Sequence, residues 1–389
     1  MKTIIHITTY LQGGAGKIIC ELISHQVAQG ERVICITEEY TYENYFNYPE
    51  YEERLLSLGV QLIKCPGLFK RDNQSFNSAL KAMSNLLQKE AVNIIHSHAA
   101  QPANVAYSAC DALSIKIPIL NTMHGWGTNK TPVQENQDIN TLSRLDAIVA
   151  VSKSSERLLH NKGILPKLTS VIYNGISEKS SHQSSSSHHL NYSIEPKSGD
   201  TFTIGCIGTI CERKNQELIV DAIALINDTH SSSYIHCILI GEDDSSYAEQ
   251  LKRKVEDLNL SPLITFTGYQ EHADSYLSHL DLLVLPTRAE GLPITILEAF
   301  RDRVLVAASD IVECQELILD NNNGLLFSPN SIEQLVEVIL SVANHNRIDS
   351  QAMKKNAYDF YQQHLQIKAM FTNYDNLYSS LLSQSKGII

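Results

Sequence analysis

Two glutamates eight residues apart, Glu290 and Glu298, stand in the stretch with the most specific chemistry, "RAEGLPITILEAF" (288–300). An apolar strand pattern ends before Glu290, and Pro293 suits the first position of the helix that follows. Glu298 then falls in the second helical turn, where side chains lean toward the N-terminus, so both carboxylates can reach one pocket. Carboxylates accept from vicinal hydroxyls and a helix start binds phosphate oxygens, a combination that suits a sugar nucleotide. Spacing alone favours a simpler interpretation, an ordinary helix with an acidic first turn.

The elements that position these residues form two series of alternating strand and helix patterns. The strands of the first series are the apolar runs 3–8, 32–37, 92–98, 116–124 and 145–152. Those of the second series are 202–208, 234–241, 263–268, 281–286 and 303–309. Such alternation predicts two doubly wound, Rossmann-like α/β domains, in which ligands bind beyond the carboxyl ends of parallel strands. Two such domains in one chain are expected to face each other across a cleft.

A Ser- and His-rich segment without periodicity, residues 177–200, separates the two series. Its composition is typical of a linker or a flexible loop. Its histidines, His182, His188 and His189, have no carboxylate or thiol partner at ligand spacing, so no metal site is predicted there.

Composition and charge limit the classes of function. With 389 residues, of which 43% are hydrophobic and 19% charged, the chain is expected to be a globular protein of two domains. The net charge of −12 is uneven, since residues 1–175 are near neutral and residues 176–389 carry −13. This balance argues against nucleic acid as a partner and gives no membrane signal. Without a secretory leader or an apolar run near the ~20 residues of a membrane span, the protein is predicted to be cytoplasmic.

Several motifs along the chain resemble those of one enzyme family. "EGLPITILE" (290–298) is similar to the E-x7-E motif of retaining GT-B glycosyltransferases, specifically glycosyltransferase family 4. Further resemblances, in the family's order, are "GGAG" (13–16), "HSH" (96–98), "HG" (124–125), "AVSKSSERLL" (150–159), "VIYNGI" (171–176) and "GTICERKN" (208–215). Each motif is weak alone, but their order and spacing over nearly the whole chain are specific.

The resemblance implies a GT-B architecture, with two Rossmann-like domains facing a cleft. It places an acceptor-side domain at 1–176, the linker at 177–200 and a nucleotide-sugar donor domain at 201–370. The tail "TNYDNLYSSLL" (372–382) resembles the family's closing helix. Residues 371–389 are therefore expected to form a helix that returns to the first domain.

The resemblance also implies roles for individual residues. Lys214 would neutralise the donor diphosphate, and Glu298 would accept from the ribose hydroxyls. Glu290 would bind the transferred sugar, and His124 would contact the sugar at the reaction centre. The other residues implied to bind the donor are Gly13, Gly14, Thr209, Arg213, Gly291 and Leu292. The two adjacent glycines would let backbone amides approach the donor phosphate. Family members transfer with retention and need no divalent metal, so no metal or other cofactor is expected.

The sequence departs from the family pattern at several positions of the donor site. Thr209 replaces a usual arginine, and Arg213 is a candidate to compensate for the missing charge. The family's Gly–x–Pro turn and its later glycine pair are replaced by "RDRVL" (301–305) and "VE" (312–313), which leaves the donor sugar open. The acidic run "EDD" (242–244) is expected to replace a glycine-containing turn rather than to bind a metal.

The predicted reaction is transfer of a hexose or N-acetylhexosamine from a nucleotide sugar, expected to be a UDP-sugar, to an acceptor hydroxyl. Residues 38–53 hold five tyrosines and six glutamates without Lys or Arg; a solvated loop is the simpler interpretation. The stretch also suits a cationic, polyhydroxylated acceptor. In the family that the chain resembles, aminocyclitols of antibiotic biosynthesis are acceptors of this kind, so the resemblance implies a soluble aminocyclitol as the favoured acceptor, with N-acetylglucosaminyl transfer as a candidate reaction. The candidate acceptor ligands are Glu50, Glu52, Glu53 and Trp126, whose indole either stacks on a sugar or packs beneath its loop.

Three alternatives stay open. The acceptor can be a cell-envelope polysaccharide or a lipid-linked sugar, as for many members of the family. The same fold can carry a nucleotide-sugar epimerase, which would act without an acceptor. A two-domain sugar-binding protein without enzymatic activity is the third alternative, and the paired glutamates argue against it. The sequence makes no prediction of oligomeric state.

Overall fold

The structure, a computed structural model, describes residues 1–127, 130–179, 201–229, 235–344 and 349–386. The chain divides into two compact units. The N-terminal unit comprises Met1–Gly175 and Ile367–Ile389, and the C-terminal unit comprises Ile176–Gln366. Most of the predicted linker, including its three histidines, lies outside the described residues.

The described strands of the N-terminal unit form one parallel sheet. These strands are β1 (Thr3–Ile7), β2 (Arg32–Glu38), β3 (Gln61–Cys65), β4 (Ile94–Ser97), β5 (Ile119–Met123), β6 (Ala147–Ala150) and β7 (Thr169–Val171). Their order across the sheet is β3-β2-β1-β4-β5-β6-β7. The chain reverses its direction of winding between β1 and β4, so the loops that follow these two strands diverge and leave a crevice at the carboxyl edge.

Amphipathic helices cover this sheet. They are α1 (Gly13–Ala28), α2 (Pro49–Ser57), α3 (Asn73–Lys89), α4 (Ala100–Ala112), α5 (Pro132–Leu142), α6 (Lys153–Asn161) and, from the end of the chain, α13 (Ile367–Lys386). Apolar residues at helical spacing form the buried face of each contact. Ile19 and Ile23 of α1, for example, pack in one cluster with Val33 of β2 and Leu55 of α2.

The described strands of the C-terminal unit form a second parallel sheet. They are β8 (Phe202–Ile207), β9 (Ile235–Ile240), β10 (Ile264–Phe266), β11 (Leu282–Leu285), β12 (Leu305–Ser309) and β13 (Leu325–Phe327), in the order β10-β9-β8-β11-β12-β13. Here the winding reverses between β8 and β11. The two sheets confirm the predicted fold class, a pair of doubly wound, Rossmann-like α/β domains.

The helices of the C-terminal unit continue the numbering. They are α7 (Glu217–Thr229), α8 (Ser246–Asp257), α9 (Ile294–Arg301), α10 (Val312–Gln315), α11 (Ile332–Ala343) and α12 (Ser350–His364), with a 3-10 turn at Ala273–His279. Among the helices of the described residues, none combines the length and the apolar character that a membrane crossing requires.

The predicted start of the helix after Glu290 is wrong by one residue. The first residue of α9 is Ile294, and Pro293 is its N-cap, with φ −72° and ψ 103°. Proline restricts φ but leaves ψ free, so the ring fits an extended N-cap as well as a first helical position. Glu298 still falls in the second turn of α9.

The Tyr- and Glu-rich residues 38–53 are more ordered than a solvated loop. Glu38 ends β2, and α2 contains the last part of the stretch. Between them, Tyr42 and Tyr45 exchange backbone hydrogen bonds, and their rings lie 5.0 and 4.7 Å from the ring of Phe69. The carboxylate of Glu38 is buried and accepts from the backbone N–H of Phe69 at 2.8 Å. An aromatic cluster and a buried carboxylate therefore tie this segment to the sheet edge.

Candidate active site

Lys214 and Glu290, both predicted as site residues, form an ion pair in the C-terminal unit. Lys214 Nζ donates to Glu290 Oε1 at 2.7 Å, and Arg213 Nη1 lies 3.4 Å from Glu290 Oε2. The side chain of Glu290 is 9% exposed and that of Lys214 is 16% exposed. Two cations on one carboxylate leave a local excess of positive charge, which favours an anion such as a diphosphate.

This cluster lies at the crevice between β8 and β11, where two loops are bonded to each other. In the loop after β8, Arg213 Nη1 donates to the carbonyl oxygen of Ala289 at 3.0 Å. Asn215 Nδ2 donates to the carbonyl oxygen of Pro286 at 3.0 Å, and Asn215 itself has a φ of 57°. These bonds hold the lysine-bearing loop against the loop after β11, which carries the glutamate.

Two glycines with positive φ shape the turns beneath Lys214. Gly208 follows β8 with a φ of 147°, and a Cβ there would lie 3.4 Å from Lys214 Cε. Gly241 follows β9 with a φ of 146°, and a Cβ there would lie only 2.3 Å from the carbonyl oxygen of Gly208. The turn at Gly241 therefore has no room for a side chain. Its close packing holds in place the turn at Gly208, which contacts Lys214.

The electrostatics of the cluster keep Glu290 ionised. Burial alone would raise the pKa of Glu290, but the charges of Lys214 and Arg213 hold that pKa below its ordinary value. Glu313 of α10 stands in the family's glycine-pair segment. Burial raises the pKa of Glu313, and the negative charge of Glu290 adds to the effect. A second carboxyl group thus lies close enough to Glu290 for their charges to interact.

The other donor residues predicted for this unit flank the cluster. Glu298 is buried in the second turn of α9, and Gly291 and Leu292 lie in the turn that leads into that helix. Pro293 makes no side-chain cap, so the first amides of α9 have no acceptor from their N-cap side chain. Thr209 is half-buried in the turn after β8. Direct side-chain contacts join Lys214, Arg213 and Glu290. The other residues belong to α9 and to the turns next to this cluster.

The acidic run 242–244 belongs to the turn after β9. The backbone carbonyl of Glu242 accepts from the N–H of Ile210 at 2.8 Å, and Asp243 Oδ2 lies 2.7 Å from Lys252 Nζ. Burial, together with the charges of the two neighbouring aspartates, raises the pKa of Glu242 to about 7. The run is thus bonded within the turn and paired with a lysine of α8.

In the N-terminal unit, Gly13 and Gly14 begin α1. Gly13 has a φ of 55°, and its carbonyl oxygen accepts from Tyr51 Oη at 3.2 Å. Gln12, the N-cap residue, makes no side-chain cap, and the first turn of α1 contains no acidic residue. The positive end of the helix dipole therefore meets no opposing carboxylate of its own first turn. Gly16 has a packing role, since a Cβ there would lie 2.9 Å from the ring of Tyr51.

His124 follows β5 and ends a chain of hydrogen-bonded side chains. His124 Nε2 lies 3.1 Å from His98 Nδ1, and His98 Nε2 lies 2.9 Å from His6 Nδ1. His6 Nε2 lies 2.8 Å from Gln26 Oε1. Burial lowers the pKa of His6 and of His124 to about 4, and it lowers the pKa of His98 well below its ordinary value. These three imidazoles are therefore neutral near pH 7.

The same chain continues to α13. Gln26 Nε2 donates to Tyr378 Oη at 2.9 Å, and Tyr378 Oη lies 2.6 Å from His96 Nδ1. His96 Nε2 lies 2.7 Å from Thr122 Oγ1, which lies 2.9 Å from Tyr374 Oη. Because both tyrosines belong to α13, the last helix completes the buried polar network of the N-terminal unit.

His6, His96 and His98 have the spacing of a metal site, with ring nitrogens within 4.8 Å of one another. However, both ring nitrogens of each histidine already have a hydrogen-bond partner within the unit. A metal ion would need to displace some of these partners to bind. The cluster therefore fits a hydrogen-bonded network better than a set of preformed metal ligands.

The predicted acceptor carboxylates lie on α2. Glu50, Glu52 and Glu53 fall in its first two turns. Glu52 forms an ion pair with Lys64 of β3, and Glu53 is exposed. Part of the negative charge that the sequence offers to a cationic acceptor is thus neutralised within the unit.

Trp126 was predicted either to stack on a sugar or to pack beneath its loop. The ammonium groups of two lysines lie over its indole ring. Lys130 Nζ lies 3.5 Å and Lys162 Nζ 4.9 Å from the ring centroid. Lys130 is itself paired with the buried Asp138 at 2.8 Å. The indole also packs against the core cluster beneath the sheet. A stacked sugar would have to displace a lysine that these contacts hold in place.

The sequence predictions missed Gln26 and Tyr378 as the groups that support His124. A signal existed for part of the network, since the predicted strands β1, β4 and β5 carry or precede His6, His96 and His124. Neighbouring strands of a parallel sheet bring their carboxyl ends together, and β1 pairs with β4 with His6 opposite His96. No spacing in the sequence connects these positions with a tyrosine on the last helix.

Two family models match the sequence. The Glycosyltransferase Family 4 model matches residues 12–179, and the Glycosyl transferases group 1 model matches residues 191–360. Together the matches cover most of the chain. The protein belongs to this family of GT-B glycosyltransferases, as its motifs predicted, and it uses a nucleotide sugar. The family assignment confirms the predicted enzyme class, a hexosyltransferase.

Relatives of known name extend the comparison. An Escherichia coli UDP-Gal:alpha-D-GlcNAc-diphosphoundecaprenol alpha-1,3-galactosyltransferase is 23% identical over 290 residues, which cover 72% of this chain and 73% of the relative. The N-acetyl-alpha-D-glucosaminyl L-malate synthase of Bacillus anthracis is 23% identical over 401 aligned residues, covering 100% of this chain and 99% of the relative. Further relatives, 21% to 29% identical, are named for O-antigen, lipopolysaccharide core or capsular polysaccharide biosynthesis.

Solved structures share the fold. The Anabaena protein HepE, in a complex with UDP-glucose, matches with a TM-score of 0.78 and 16% identity, over 98% of this chain and 100% of HepE. At this identity the match supports the GT-B fold and not a particular substrate.

Proposed function

We propose that the protein transfers a hexose or an N-acetylhexosamine, with retention, from a UDP-sugar to a hydroxyl group of a cell-envelope glycan or its lipid-linked precursor. The observation that carries the proposal is the partly buried Lys214–Glu290 pair, with Arg213 beside it, at the crevice of the C-terminal sheet. The names of the relatives, which include a UDP-Gal-dependent transferase and O-antigen transferases, support the choice of donor and acceptor.

The proposed chemistry uses both charges of this cluster. The bond from the anomeric carbon to the diphosphate oxygen breaks, and the acceptor oxygen bonds to the same carbon while its proton passes to the diphosphate. Lys214 and Arg213 stabilise the negative charge that develops on the diphosphate, and Arg213 thereby replaces the charge that Thr209 lacks. Glu290, ionised because of its low pKa, stabilises positive charge on the sugar. The ion pair holds Lys214 in position before the donor binds.

The remaining roles follow the family pattern. Glu298 accepts from the ribose hydroxyls, and His124 contacts the transferred sugar. The residues proposed to offer backbone amides to the donor phosphates are Gly13, Gly14, Gly291 and Leu292.

A cell-envelope acceptor is preferred to the aminocyclitol predicted from residues 38–53. The relatives described above include transferases of cell-envelope glycans and no aminocyclitol transferase. In addition, Glu38 is buried within the fold and Glu52 is paired with Lys64, so the stretch presents less free negative charge than its composition suggests.

A soluble hydroxy acid is a second candidate acceptor. The L-malate synthase of Bacillus anthracis aligns along the whole chain, whereas the E. coli galactosyltransferase aligns with 72% of it. This candidate keeps the same donor chemistry and predicts N-acetylglucosaminyl transfer to a small carboxylate.

The acceptor can be decided by a transfer assay with purified protein. UDP-glucose, UDP-galactose and UDP-N-acetylglucosamine would each be offered with a short-chain analogue of GlcNAc-diphosphoundecaprenol, with L-malate and with an aminocyclitol, and products detected by mass spectrometry. We expect a new product with the lipid diphosphate. A product with L-malate alone would favour the second candidate, and acceptor-independent epimerisation of the donor would overturn the proposal.

Variants of the ion pair test the catalytic roles. Lys214→Ala and Glu290→Gln should each lower kcat/KM by about 100-fold, the scale of losing one charge-stabilising group in a transition state. Lys254→Ala is the matched control, since Lys254 also pairs with two acidic groups, Glu217 and Asp221, but on α7 and away from the cluster. Full transfer activity in both variants would reject the proposed site.

A further inference from the structure

The ring nitrogen of His124 that faces away from the histidine chain has an unusual environment. His124 Nδ1 is buried and has no hydrogen-bond partner among the described residues. A buried nitrogen without a partner is unfavourable unless a ligand or a water molecule supplies the missing bond. Whether that ligand must donate or accept depends on which nitrogen of His124 carries the proton.

In a chain of hydrogen-bonded neutral imidazoles, the donor and acceptor roles of one ring determine those of the next ring. A neutral histidine has one N–H donor and one nitrogen acceptor, so a proton placed on one nitrogen fixes the role of the other. His6 and His98 are almost fully buried, at 0% and 6% exposure, and burial keeps both of them neutral. The direction of the hydrogen bond on one side of each ring, from donor to acceptor, therefore fixes the direction of the hydrogen bond on its other side.

Gln26 is the group that determines the direction of these hydrogen bonds. Its amide has separate acceptor and donor atoms: Oε1 faces His6 Nε2 at 2.8 Å, and Nε2 donates to Tyr378 Oη at 2.9 Å. Because a carbonyl oxygen only accepts, His6 carries its proton on Nε2. His6 Nδ1 then accepts from His98 Nε2, and His98 Nδ1 accepts from His124 Nε2. The proton of His124 is thereby placed on Nε2, and Nδ1 keeps a lone pair.

The other arm of Gln26 is compatible with this orientation of the amide. Tyr378 Oη accepts from Gln26 Nε2 and is free to donate its own proton to His96 Nδ1 at 2.6 Å. His96 Nε2 then donates to Thr122 Oγ1. Every donor in this arm meets an acceptor. The reverse orientation of Gln26 would invert every N–H of the chain and put the proton of His124 on Nδ1.

We propose that Gln26 and Tyr378 are positioning residues that hold His124 as its Nε2–H tautomer, so that Nδ1 accepts a hydrogen bond from a hydroxyl group of the transferred sugar. The contact with the sugar rests on the proposed function, whereas the tautomer does not. The C-terminal helix α13 contributes to the site through Tyr378, without touching the substrate.

The tautomer can be read directly by long-range 1H–15N NMR of protein labelled with 15N-histidine, because protonated and unprotonated ring nitrogens resonate in separate regions. His124→Asn identifies the His124 signals. We expect an unprotonated Nδ1 and a protonated Nε2 in the unmodified protein. A protonated Nδ1 overturns the proposal, and this measurement needs no variant of the chain beyond the assignment.

Variants at Gln26 test its control of the chain. Gln26→Leu removes both arms and should give a mixture of the two tautomers of His124, whereas Gln26→Glu keeps an oxygen acceptor for His6 and should keep the original tautomer. Gln101→Leu is the matched control, because Gln101 is also a buried glutamine of the N-terminal unit and lies on α4 outside the chain. An unchanged His124 pattern in Gln26→Leu overturns the role of Gln26.

Activity separates this inference from the proposed function. Gln26→Leu should lower kcat about tenfold, the scale of one hydrogen bond, with Gln26→Glu partly restored and donor KM little changed. If the tautomer shifts and transfer stays at the original rate, the contact of His124 with the sugar is rejected. If no transfer is found with any donor in the unmodified protein, the proposed function fails while the NMR result still decides the tautomer.

Discussion

At the scale of single residues, the candidate site combines a charged cluster with tightly packed turns. Lys214 and Glu290 owe their contact to the loops after β8 and β11, which are bonded through Arg213 and Asn215. Beneath them, Gly241 packs directly against the backbone of Gly208. The position of the cationic groups therefore depends on a residue without a side chain.

Gly241→Ala should destabilise the protein strongly. The new Cβ would lie 2.3 Å from the carbonyl oxygen of Gly208 in a backbone conformation that L-residues avoid, so we expect a loss of about 3 kcal/mol or more in the free energy of unfolding. Gly268→Ala is the control, because its φ of 67° is also positive but its Cβ would meet only an ordinary contact at 3.6 Å, and about 1 kcal/mol is expected. Equal losses in urea unfolding would show that the contact with Gly208 is unimportant.

At the scale of elements, α13 is an integral part of the N-terminal unit. Its buried residues include Met370, Tyr374, Leu377, Tyr378 and Leu381. Two of them supply hydroxyl groups to the polar network that includes the histidines of β1 and β4. The helix thus combines apolar burial with partners for groups that would otherwise be buried without hydrogen bonds.

Removal of α13 should abolish folding of the N-terminal unit. A chain that ends at Gln366 exposes the apolar surface beneath the helix and leaves Gln26, His96 and Thr122 without their tyrosine partners. We expect a loss of soluble protein, or a fall in Tm of the corresponding transition. A chain that ends at Lys386 is the control and should behave as the full chain does. Unchanged yield and Tm after truncation at Gln366 would contradict an integral role for the helix.

At the scale of the whole molecule, the buried histidines link stability to pH. The pKa of His6 and of His124 is lowered to about 4, so the folded chain leaves these imidazoles uncharged while the unfolded chain protonates them near pH 6.5. The unfolded state then binds more protons, and its relative free energy falls as the pH decreases. Stability from these groups is present above about pH 6.5 and is lost progressively toward about pH 4.

The free energy of unfolding should therefore decrease between about pH 6.5 and pH 5, because the buried histidines outnumber Glu242, whose raised pKa of about 7 acts in the opposite direction over this range. Each buried histidine contributes to the slope, so His6→Gln should make the decrease shallower. His160→Gln is the control, because it removes an exposed histidine of α6 that lies outside the buried network. Urea unfolding at a series of pH values checks this, and a pH-independent midpoint over that range would contradict it.

The amino-acid sequence by itself determined the class of fold and, through its resemblance to the family, named three residues of the candidate site. Apolar runs at strand length and amphipathic segments at helical spacing are local patterns, so the alternation of strands and helices could be predicted along most of the chain. Strand β3 was not predicted, because this edge strand is half-exposed and carries Gln61 and Lys64 within its five residues, which interrupts the apolar pattern. Lys214, Glu290 and His124 could be named because their motifs are short and contiguous.

Only the tertiary structure decided which groups act on these residues. The ion pair joins positions 76 residues apart, and the hydrogen bond between Gln26 and Tyr378 joins positions 352 residues apart. Such contacts depend on strand order, and local sequence patterns do not encode strand order. The same holds for the charges of residues 38–53, which composition assigned to an acceptor and which the fold partly buries or pairs, as at Glu38 and Glu52. Composition gives only the number of charged residues, whereas their burial and ion pairing in the folded chain determine which of them are available to bind a ligand.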